Sequence, residues 1–272
     1  MKKPMYIAAI VVLLIVFCVS AFQVGSYILE SKQQQDKFND LAASVQAAQE
    51  AAATETTEAT EPATTEAVEE TEPTEPTEPQ ILPGYAELYE QNPDLVGWIK
   101  IEGTKLDYPV MQTPHDKDFY LDHDFDKKAS QHGCIYAREE CDVFRPSDNV
   151  TLYGHNMKDG TMFATLNEYT RKEIWDYNSM IFYDTLYERH VYQIFSVFIT
   201  TATVNKGFSY HRMEDAADEA AFNEFIAQCK KLQLYETGIT PVYGDKIICL
   251  STCEYSHPEG NGRLVVAAVR MS

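Results

Sequence analysis

The sequence predicts a mainly β domain, an antiparallel β-barrel with peripheral helices, preceded by a transmembrane helix and a disordered stalk. Two observations lead to this prediction. The chain starts with an apolar run followed by a segment rich in Thr, Glu and Pro, and its last 190 or so residues alternate short β-type runs with turn residues. That length suits one hydrophobic core and is short for two. We therefore expect a single folded domain over residues 81–272.

The first 29 residues have the composition of a membrane anchor. Residues 5–22 are apolar and uncharged, and at about 1.5 Å per residue such a helix is just long enough to cross a bilayer core. Because Lys2 and Lys3 favour the cytoplasmic side, we expect residues 1–4 in the cytoplasm, a single-pass signal anchor over residues 5–29, and the rest of the chain outside the cell membrane. Cleavage of a secretory signal after Val19-Ser-Ala21 is the alternative.

Residues 30–80 predict a linker rather than a folded unit. Gln, Lys, Asp and Ala come first, then Thr, Glu, Ala and Pro, with three Thr-Glu-Pro units at 71–79. Such a composition cannot bury a core, and its carboxylates and prolines favour an extended chain. We expect an extracytoplasmic stalk here. A short amphipathic helix within residues 23–49 is an alternative for its first part.

Acidic residues dominate the charge of the whole chain. The formal net charge is −20; residues 1–80 hold four lysines and thirteen acidic residues, a net of −9, which leaves −11 for the domain. A surface this negative repels phosphate backbones. We therefore expect no nucleic-acid partner.

Local patterns predict the elements of the domain in chain order. Short β-type runs bounded by turn residues occupy 96–101, 134–137, 150–153, 190–200, 246–251 and 264–269. Helical patterns predict a short helix over 84–91, a second over 161–169 and a long one over 214–234. In the long helix, the expected apolar face consists of Ala217, Ala220, Ala221, Phe225, Cys229 and Leu232. This list fits a barrel with helices on its outside.

Three residues of the domain have side chains that together suit acyl transfer. Cys253 ends the run 246–253, Arg263 immediately precedes the last apolar run, and His155 lies upstream in Tyr-Gly-His-Asn-Met. A thiolate attacks a carbonyl, an imidazole protonates the departing amine, and a fixed cation stabilises the oxyanion. If the last two strands pair, Cys253 and Arg263 lie a few ångströms apart.

These residues also carry a resemblance to a known family. Leu250-Ser-Thr-Cys253, Arg263 and Tyr153-Gly-His-Asn-Met157 resemble the active-site signature of the sortases, most closely of class B. Further stretches that resemble class B sortases are 92–101, 108–110, 120–121 and 154–160, so the resemblance spans roughly residues 83–272. It implies an eight-stranded sortase-type barrel with a long helix inserted before the Cys strand.

The resemblance implies a membrane-anchored cysteine transpeptidase of Gram-positive cell surfaces, a thiol protease in its first half-reaction. Cys253 would attack the Thr carbonyl of a C-terminal sorting signal, LPXTG-like or NPXTN-like, with His155 as general acid/base and Arg263 at the oxyanion or substrate. Ser251 and Glu254 would line the substrate groove. The implied partners are secreted proteins that bear the signal and an amine acceptor, either a peptidoglycan precursor or a pilin. No cofactor and no metal are implied.

Cys134 supports a competing hypothesis. Ser130-Gln-His-Gly-Cys-Ile135 is similar to the Ser-His-Gly-Cys-Ile element of L,D-transpeptidases, which are wall enzymes with a Cys nucleophile, although Gln131 interrupts the Ser-His pair. Under the other interpretation, this segment opens a barrel strand. A third hypothesis is an inactive sortase-fold binding module, against which the presence of all three site residues argues.

The remaining cysteines raise the question of disulfides, because the chain is expected outside the cytoplasm. Cys229 and Cys249 lie in apolar patterns and are expected to be buried free thiols. Cys134 and Cys141 either remain thiols or close a loop as a disulfide, and the sequence leaves this open.

Two further polar segments contain residue types that can bind metal or transfer protons. The acidic loop 116–126 begins like a calcium-binding loop, but Lys127 stands where Gly is required and Gly133 where Glu is required, so we expect a solvated loop without metal. His257 lies four residues after Cys253 and competes with His155 as acid/base. Its neighbours Pro258 and Gly260 favour a surface loop.

Overall fold

The computed structural model describes residues 3–58, 79–203, 206–257 and 261–271. The chain divides into two compact units, Met1–Asp40 and Leu41–Ser272. The second unit contains the barrel.

One long helix, α1 (Lys3–Glu58), begins the described chain. Its N-terminal part contains the apolar run, whose large apolar side chains from Tyr6 to Phe22 are exposed. Within the described ranges, α1 is the one helix long and apolar enough to cross a membrane.

The structure differs from the expected linker over its first half. Residues 30–58 continue α1 as a helix instead of an extended chain. The physical reason is composition, because Ala, Gln and Glu are strong helix formers when no Pro interrupts them. The Thr-Glu-Pro units of the predicted stalk lie almost entirely in residues 59–78, which fall outside the described residues.

The end of α1 belongs to the second unit and packs against it. Leu41 and Val45 are buried, and Val45 lies against Gly84, at which a Cβ atom would be 2.9 Å from the Val45 carbonyl oxygen. Gly84 also has a φ of +92°, which favours glycine. The turn at Gly84 leads into α2 (Ala86–Gln91), where a short helix is predicted.

Eight strands close into a barrel in the order β1-β2-β3-β4-β7-β8-β6-β5. The strands are β1 (Leu95–Lys100), β2 (Asp107–Met111), β3 (Ile135–Ala137), β4 (Asn149–Tyr153), β5 (Met180–Thr185), β6 (Arg189–Thr201), β7 (Ile247–Glu254) and β8 (Gly262–Arg270). This confirms the eight-stranded barrel. The runs identified in the sequence account for all strands except β2, in which Pro109 argues against a strand, and β5.

The prediction that the barrel is antiparallel is wrong for two of its pairings. β2 pairs with β3 in parallel, and so does β4 with β7. A parallel pair needs a long crossover connection. Residues 202–246, between β6 and β7, bring β7 back to β4, and residues 112–134 connect β2 to β3.

Helices lie in the connections between strands. Besides α2, they are α3 (Lys172–Tyr177), α4 (Glu219–Leu232) and 3₁₀ helices over Phe119–Leu121, Phe163–Thr170 and Tyr210–Arg212. The predicted helix over 161–169 is thus a 3₁₀ helix. The long helix is shorter than predicted, because Asp218 caps its N-terminus by accepting a hydrogen bond from the Ala221 N–H.

The buried face of α4 differs in part from the expected one. It consists of Phe222, Phe225, Ile226 and Cys229, which pack into one core cluster with Phe198 of β6 and Cys249 of β7. Ala217 precedes the helix and Ala220 is exposed, so both were assigned wrongly. The bulkier Phe222 and Ile226 bury more apolar area than alanines would, and this sets the rotation of the helix.

Candidate active site

The two last strands place the candidate nucleophile opposite the candidate cation. In the antiparallel pair of β7 and β8, Cys253 lies directly across from Arg263, as the sequence predicts. Opposed residues on neighbouring strands have Cβ atoms about 5 Å apart on the same face. Arg263 also lies across from Thr200 of β6. On β8 it therefore has Cys253 of β7 on one side and Thr200 of β6 on the other.

His155 reaches the same end of the barrel because β4 runs parallel to β7. The last ladder pair is Tyr153 with Ser251, and the chain then continues beside β7. The Gly154 N–H donates to the Ser251 carbonyl at 3.3 Å, and the Thr252 hydroxyl donates to the Gly154 carbonyl at 2.8 Å. These bonds hold the residue before His155 against the residues before Cys253.

Close packing explains why glycine precedes the histidine. A Cβ atom on Gly154 would lie 2.4 Å from Cδ1 of Ile135 and 2.8 Å from the Phe163 ring. Such contacts are far inside van der Waals distance. Only glycine lets the chain pass this point and bring His155 to the barrel end.

The imidazole of His155 contacts the loop before β3. Its Nε2 lies 2.6 Å from the carbonyl oxygen of Leu121. Because a carbonyl oxygen only accepts, this contact is a hydrogen bond when Nε2 carries a proton. The loop around Leu121 therefore orients the ring, which remains half-buried.

One cavity of about 400 Å³ joins the three predicted residues. His155, Cys253 and Arg263 all line it. Three tyrosines, Tyr136, Tyr153 and Tyr210, and the cations Lys117, Arg138 and Arg212 also line it, together with Asp118 and Glu139. A polar substrate with a reactive carbonyl could therefore meet a thiol, an imidazole and a guanidinium in one pocket that is open to solvent.

Ser251 lies in the cavity wall, and a tyrosine of the crossover holds it there. It is buried, and its hydroxyl is 2.6 Å from the hydroxyl of Tyr210. Burial raises the pKa of Tyr210 to about 12, so the phenol keeps its proton at neutral pH. The Tyr210 carbonyl in turn accepts from Asn149 Nδ2 at 2.9 Å, which ties the crossover to β4.

Glu254 does not line the cavity, unlike Ser251. Successive side chains of a strand point to opposite faces, so Glu254 faces away from Cys253. Burial acts to raise the pKa of its carboxyl, but hydrogen bonds from Ser256 outweigh this and lower it. Its Oε1 accepts from the Ser256 N–H at 2.8 Å, and this bond shapes the start of the loop after β7.

Cys134 is buried and is not among the residues that line the cavity. Its N–H donates to the Tyr120 carbonyl at 2.9 Å, and β3 begins at the next residue. The neighbouring His132 is also buried, with Nε2 3.1 Å from an Asp159 carboxylate oxygen. This segment thus opens a barrel strand, the second of the two interpretations of its sequence.

All six cysteines lie in described residues, and each is a free thiol. The disulfide between Cys134 and Cys141 that the sequence left open is therefore absent. Burial raises the pKa of the Cys141 thiol to about 11, and its Sγ lies 3.6 Å from the Asn149 carbonyl. Cys229 and Cys249 are buried, as predicted.

The structure adds residues to the site that sequence reasoning missed. Asn156, which follows His155, donates from Nδ2 to the Cys253 carbonyl at 2.8 Å; its position in the Tyr-Gly-His-Asn-Met segment was the available signal. Tyr210 had no signal, because it reaches Ser251 from 41 residues away along the chain. The other histidine considered, His257, is not among the residues that line the cavity.

The chain is similar to known proteins in sequence and in structure. Residues 99–271 match the family model of the sortase domain. Sortase B of Staphylococcus aureus is 33% identical over 190 residues, which cover 69% of this chain and 75% of that protein.

Solved structures of sortase B are also similar. The Staphylococcus aureus sortase B-substrate complex superposes with a TM-score of 0.70 at 26% identity and covers 90% of this chain and 99% of that one. A sortase B complexed with triglycine has a TM-score of 0.69 at 25% identity, with 89% and 99% covered. The chain therefore belongs to the sortase family, in class B, whose members are cysteine transpeptidases of the cell wall.

Proposed function

We propose that this chain cleaves a C-terminal sorting signal after its Thr residue and transfers the protein to an amine of the cell wall. The observation that carries the proposal is the pairing of Cys253 with Arg263 in the same cavity as His155. Ser251, which is buried but lines that cavity, is proposed to form part of the wall of the substrate groove. Glu254, which follows Cys253 on the other face of β7, is proposed to line the substrate groove outside that cavity.

In the first half-reaction, the Cys253 thiolate attacks the Thr carbonyl carbon and forms a tetrahedral intermediate. The Arg263 guanidinium, which never deprotonates under these conditions, balances the charge that develops on the oxygen. His155 then donates a proton to the departing amine as the C–N bond breaks. The products are a thioacyl enzyme and the released C-terminal peptide.

In the second half-reaction, an amine replaces the thiol. His155, now neutral, removes a proton from the incoming amine as its nitrogen attacks the thioester carbonyl. The C–S bond breaks, and the new amide leaves with the Cys253 thiolate restored. Water in place of the amine gives hydrolysis, the unproductive outcome.

The substrate and the acceptor are proposed from the relatives. Solved structures of sortase B include a complex with substrate and a complex with triglycine. We infer for this chain a sorting signal of the LPXTG-like or NPXTN-like type as the donor. A peptidoglycan precursor amine is the inferred acceptor, with a pilin amine as the second candidate.

The proposed location is the outer side of the cell membrane. Lys2 and Lys3 precede the apolar part of α1 and would keep residues 1–4 in the cytoplasm. Residues 5–29 would then be the single-pass anchor and residues 30–80 a stalk that is helical in its first part. The catalytic domain, residues 81–272, would face the wall.

The competing wall enzyme with Cys134 as nucleophile is not favoured. Cys134 is 1% exposed, and a nucleophile has to reach its substrate. Cys253, by contrast, is only partly buried and lines the cavity.

Peptide cleavage tests the proposal. A soluble fragment, residues 41–272, is incubated with fluorogenic LPXTG-like and NPXTN-like peptides and a triglycine acceptor. We expect one peptide class to be cleaved after Thr, Cys253→Ala to abolish cleavage, and Cys134→Ala to retain it. Loss of cleavage with Cys134→Ala, but not with Cys253→Ala, would contradict the assignment. A folded wild type that cleaves neither class would favour the inactive binding module.

A further inference from the structure

The side chain of Asn156 connects the histidine loop to the nucleophile strand. Its Nδ2 donates to the Cys253 carbonyl at 2.8 Å. The same amide exchanges hydrogen bonds with Asn167, 2.8 Å from Asn167 Nδ2 to Asn156 Oδ1 and 3.3 Å in the reverse direction. Because the Cys253 carbonyl only accepts, the nitrogen of the Asn156 amide has to face it.

Asn167 is itself fixed, so the orientation of the Asn156 amide is determined. Asn167 Nδ2 also donates to the Ala164 carbonyl at 2.8 Å within the 3₁₀ helix Phe163–Thr170. The Asn156 amide thus has a donor directed at β7 and an acceptor directed at this helix. Such a three-membered network holds its members more rigidly than one isolated hydrogen bond.

The hydrogen bond from Asn156 to the Cys253 carbonyl lies where the histidine loop meets the nucleophile strand. The parallel ladder between β4 and β7 ends with Tyr153 and Ser251, two residues before His155 and Cys253. Beyond it, Thr252 donates to the Gly154 carbonyl, and Asn156 donates to Cys253 itself. Asn156 therefore supplies the last link between the two chain segments, next to the imidazole on one side and on the backbone of the nucleophile on the other.

We propose that Asn156 is a positioning residue that fixes the distance between the His155 imidazole and the Cys253 thiol through its bond to the Cys253 carbonyl. The consequence for catalysis rests on the proposed function. Asn156 does not act on substrate. Its neutral amide holds the His155 and Cys253 side chains at a fixed distance from each other. A displacement of about 1 Å between reacting groups costs on the order of 100-fold in rate.

Other contacts hold the histidine loop when this link is lost. The Phe163 N–H donates to the His155 carbonyl at 2.9 Å. Farther along the loop, Asp159 is bonded to His132 at 3.1 Å, and its carbonyl accepts from Lys105 Nζ at 3.0 Å. Removal of the Asn156 donor should therefore leave the fold intact and change only the register of the two site residues.

Two variants remove the donor in the full-length chain in detergent. Asn156→Asp keeps the shape but places an acceptor against the Cys253 carbonyl, and Asn156→Ala removes the amide without adding charge. The matched control is Asn178→Asp, the same chemical change at an asparagine whose Nδ2 also donates to a backbone carbonyl, that of Glu102 at 2.9 Å. Asn178 is not among the residues that line the cavity.

The kinetic readout is the division of the effect between kcat and KM. We expect both Asn156 variants to lower kcat for peptide cleavage about 100-fold, with KM and the thermal unfolding midpoint close to wild type. Asn178→Asp should leave kcat unchanged. Wild-type kcat in both Asn156 variants, or a loss of kcat that only accompanies a lower unfolding midpoint, would overturn the proposal.

A second readout needs no substrate and so separates this proposal from the proposed function. Iodoacetamide alkylation at Cys253 is followed by mass spectrometry in the wild type, His155→Ala, Asn156→Ala and the double variant. If Asn156 couples the two groups, His155→Ala changes the alkylation rate less in the Asn156→Ala background than in the wild type. An equal effect in both backgrounds would overturn the positioning role. Coupling without any peptide cleavage would support it and reject the proposed function.

Discussion

At the scale of single residues, the site depends on which side chains face one another across strands. Arg263 lies across from Cys253 on one side and from Thr200 on the other, and its Nη1 donates to the Gly262 carbonyl at 2.9 Å. One end of the guanidinium thus anchors the side chain while its remaining donors can meet a substrate oxygen. A lysine ammonium has no such planar fork.

Arg263→Lys tests that geometry. We expect kcat/KM for peptide cleavage to fall about 100-fold, the cost of losing an oriented donor to an oxyanion, while the unfolding midpoint stays near wild type. The matched control is Arg189→Lys, in which the exposed Arg189 forms a loose pair with Asp184 at 3.8 Å; this variant should keep full activity. An Arg263→Lys enzyme as active as wild type would show that charge alone suffices there.

The sequence predicted the positions of the candidate site residues better than it predicted the residues that support them. Cys253 and Arg263 could be predicted as neighbours because they end and begin consecutive apolar strands, and the structure pairs them. Tyr210 could not, because its contact with Ser251 depends on how a long crossover returns to the barrel. A side chain that supports the site from a distant loop leaves no periodic pattern in the sequence.

At the scale of elements, the parallel pair of β4 and β7 brings His155 to the site. Both strands could be predicted from apolar runs, but their pairing could not, because residue 153 pairs with residue 251 across almost a hundred residues of chain. Local patterns determine the faces of a strand and do not determine its neighbours. The expectation of an antiparallel barrel failed for this reason.

Gly154 controls the passage from β4 to the histidine loop. In Gly154→Ala, the added Cβ atom would meet Ile135 and the Phe163 ring, so the loop has to move outward. We expect loss of most cleavage activity with retained β-sheet circular dichroism. The control is Gly103→Ala, where a Cβ atom meets nothing within 4 Å, although its positive φ of +74° costs some stability. Full activity in Gly154→Ala would contradict this account of the loop.

Asp148 joins three elements at the other end of β4. Its carboxylate accepts from Lys246 Nζ at 2.9 Å, before β7, and from the Ala216 N–H at 3.0 Å, in the crossover. Burial acts to raise the pKa of this carboxyl. The hydrogen bonds from Lys246 and from the Ala216 N–H, together with the positive charge of Lys246, outweigh the effect of burial and lower the pKa. The ionised form is therefore favoured in the folded state.

Asp148→Asn should destabilise the fold in a pH-dependent way. Because the folded pKa is below the unfolded one, the contribution is complete above about pH 4 and is lost as the pH falls through the folded pKa. We expect the free energy of unfolding in urea to fall by about 1.5 kcal/mol at pH 7, with a smaller difference at pH 3. Asp176→Asn, in an exposed pair with Lys172, should have little effect. A difference that grows in acid would contradict the sign.

At the scale of the whole molecule, composition predicts an anchor, a linker and a folded domain in that order, and the structure shows a long helix with an apolar start, followed later in the chain by the barrel. The number of strands came from the family resemblance rather than from counting runs, since β2 and β5 escaped the pattern. A helix within residues 23–49 was the alternative for the start of the linker, and the structure has a helix that continues to Glu58. The packing of Val45 against Gly84 is a tertiary contact, and such contacts add to the helix-forming composition of this segment.

The end of α1 should stabilise the barrel domain. Fragment 41–272 contains Leu41 and Val45, which are 8% and 5% exposed, whereas fragment 81–272 lacks them. We expect the longer fragment to be more stable by about 2 kcal/mol in urea, from the burial of these two side chains. Leu41→Ser with Val45→Ser should remove that gain, and Ala47→Ser, at an exposed position, should not. Equal stability of the two fragments would contradict the packing.

The central claim is that Cys253 carries the acyl group. The most direct measurement is intact-protein and peptide mass spectrometry of the wild-type chain mixed with a sorting-signal peptide and no amine acceptor. We expect an added mass equal to the peptide up to its Thr residue, located on Cys253 and released by triglycine as an amide product. An adduct on Cys134, or cleavage with no covalent species on Cys253, would contradict it.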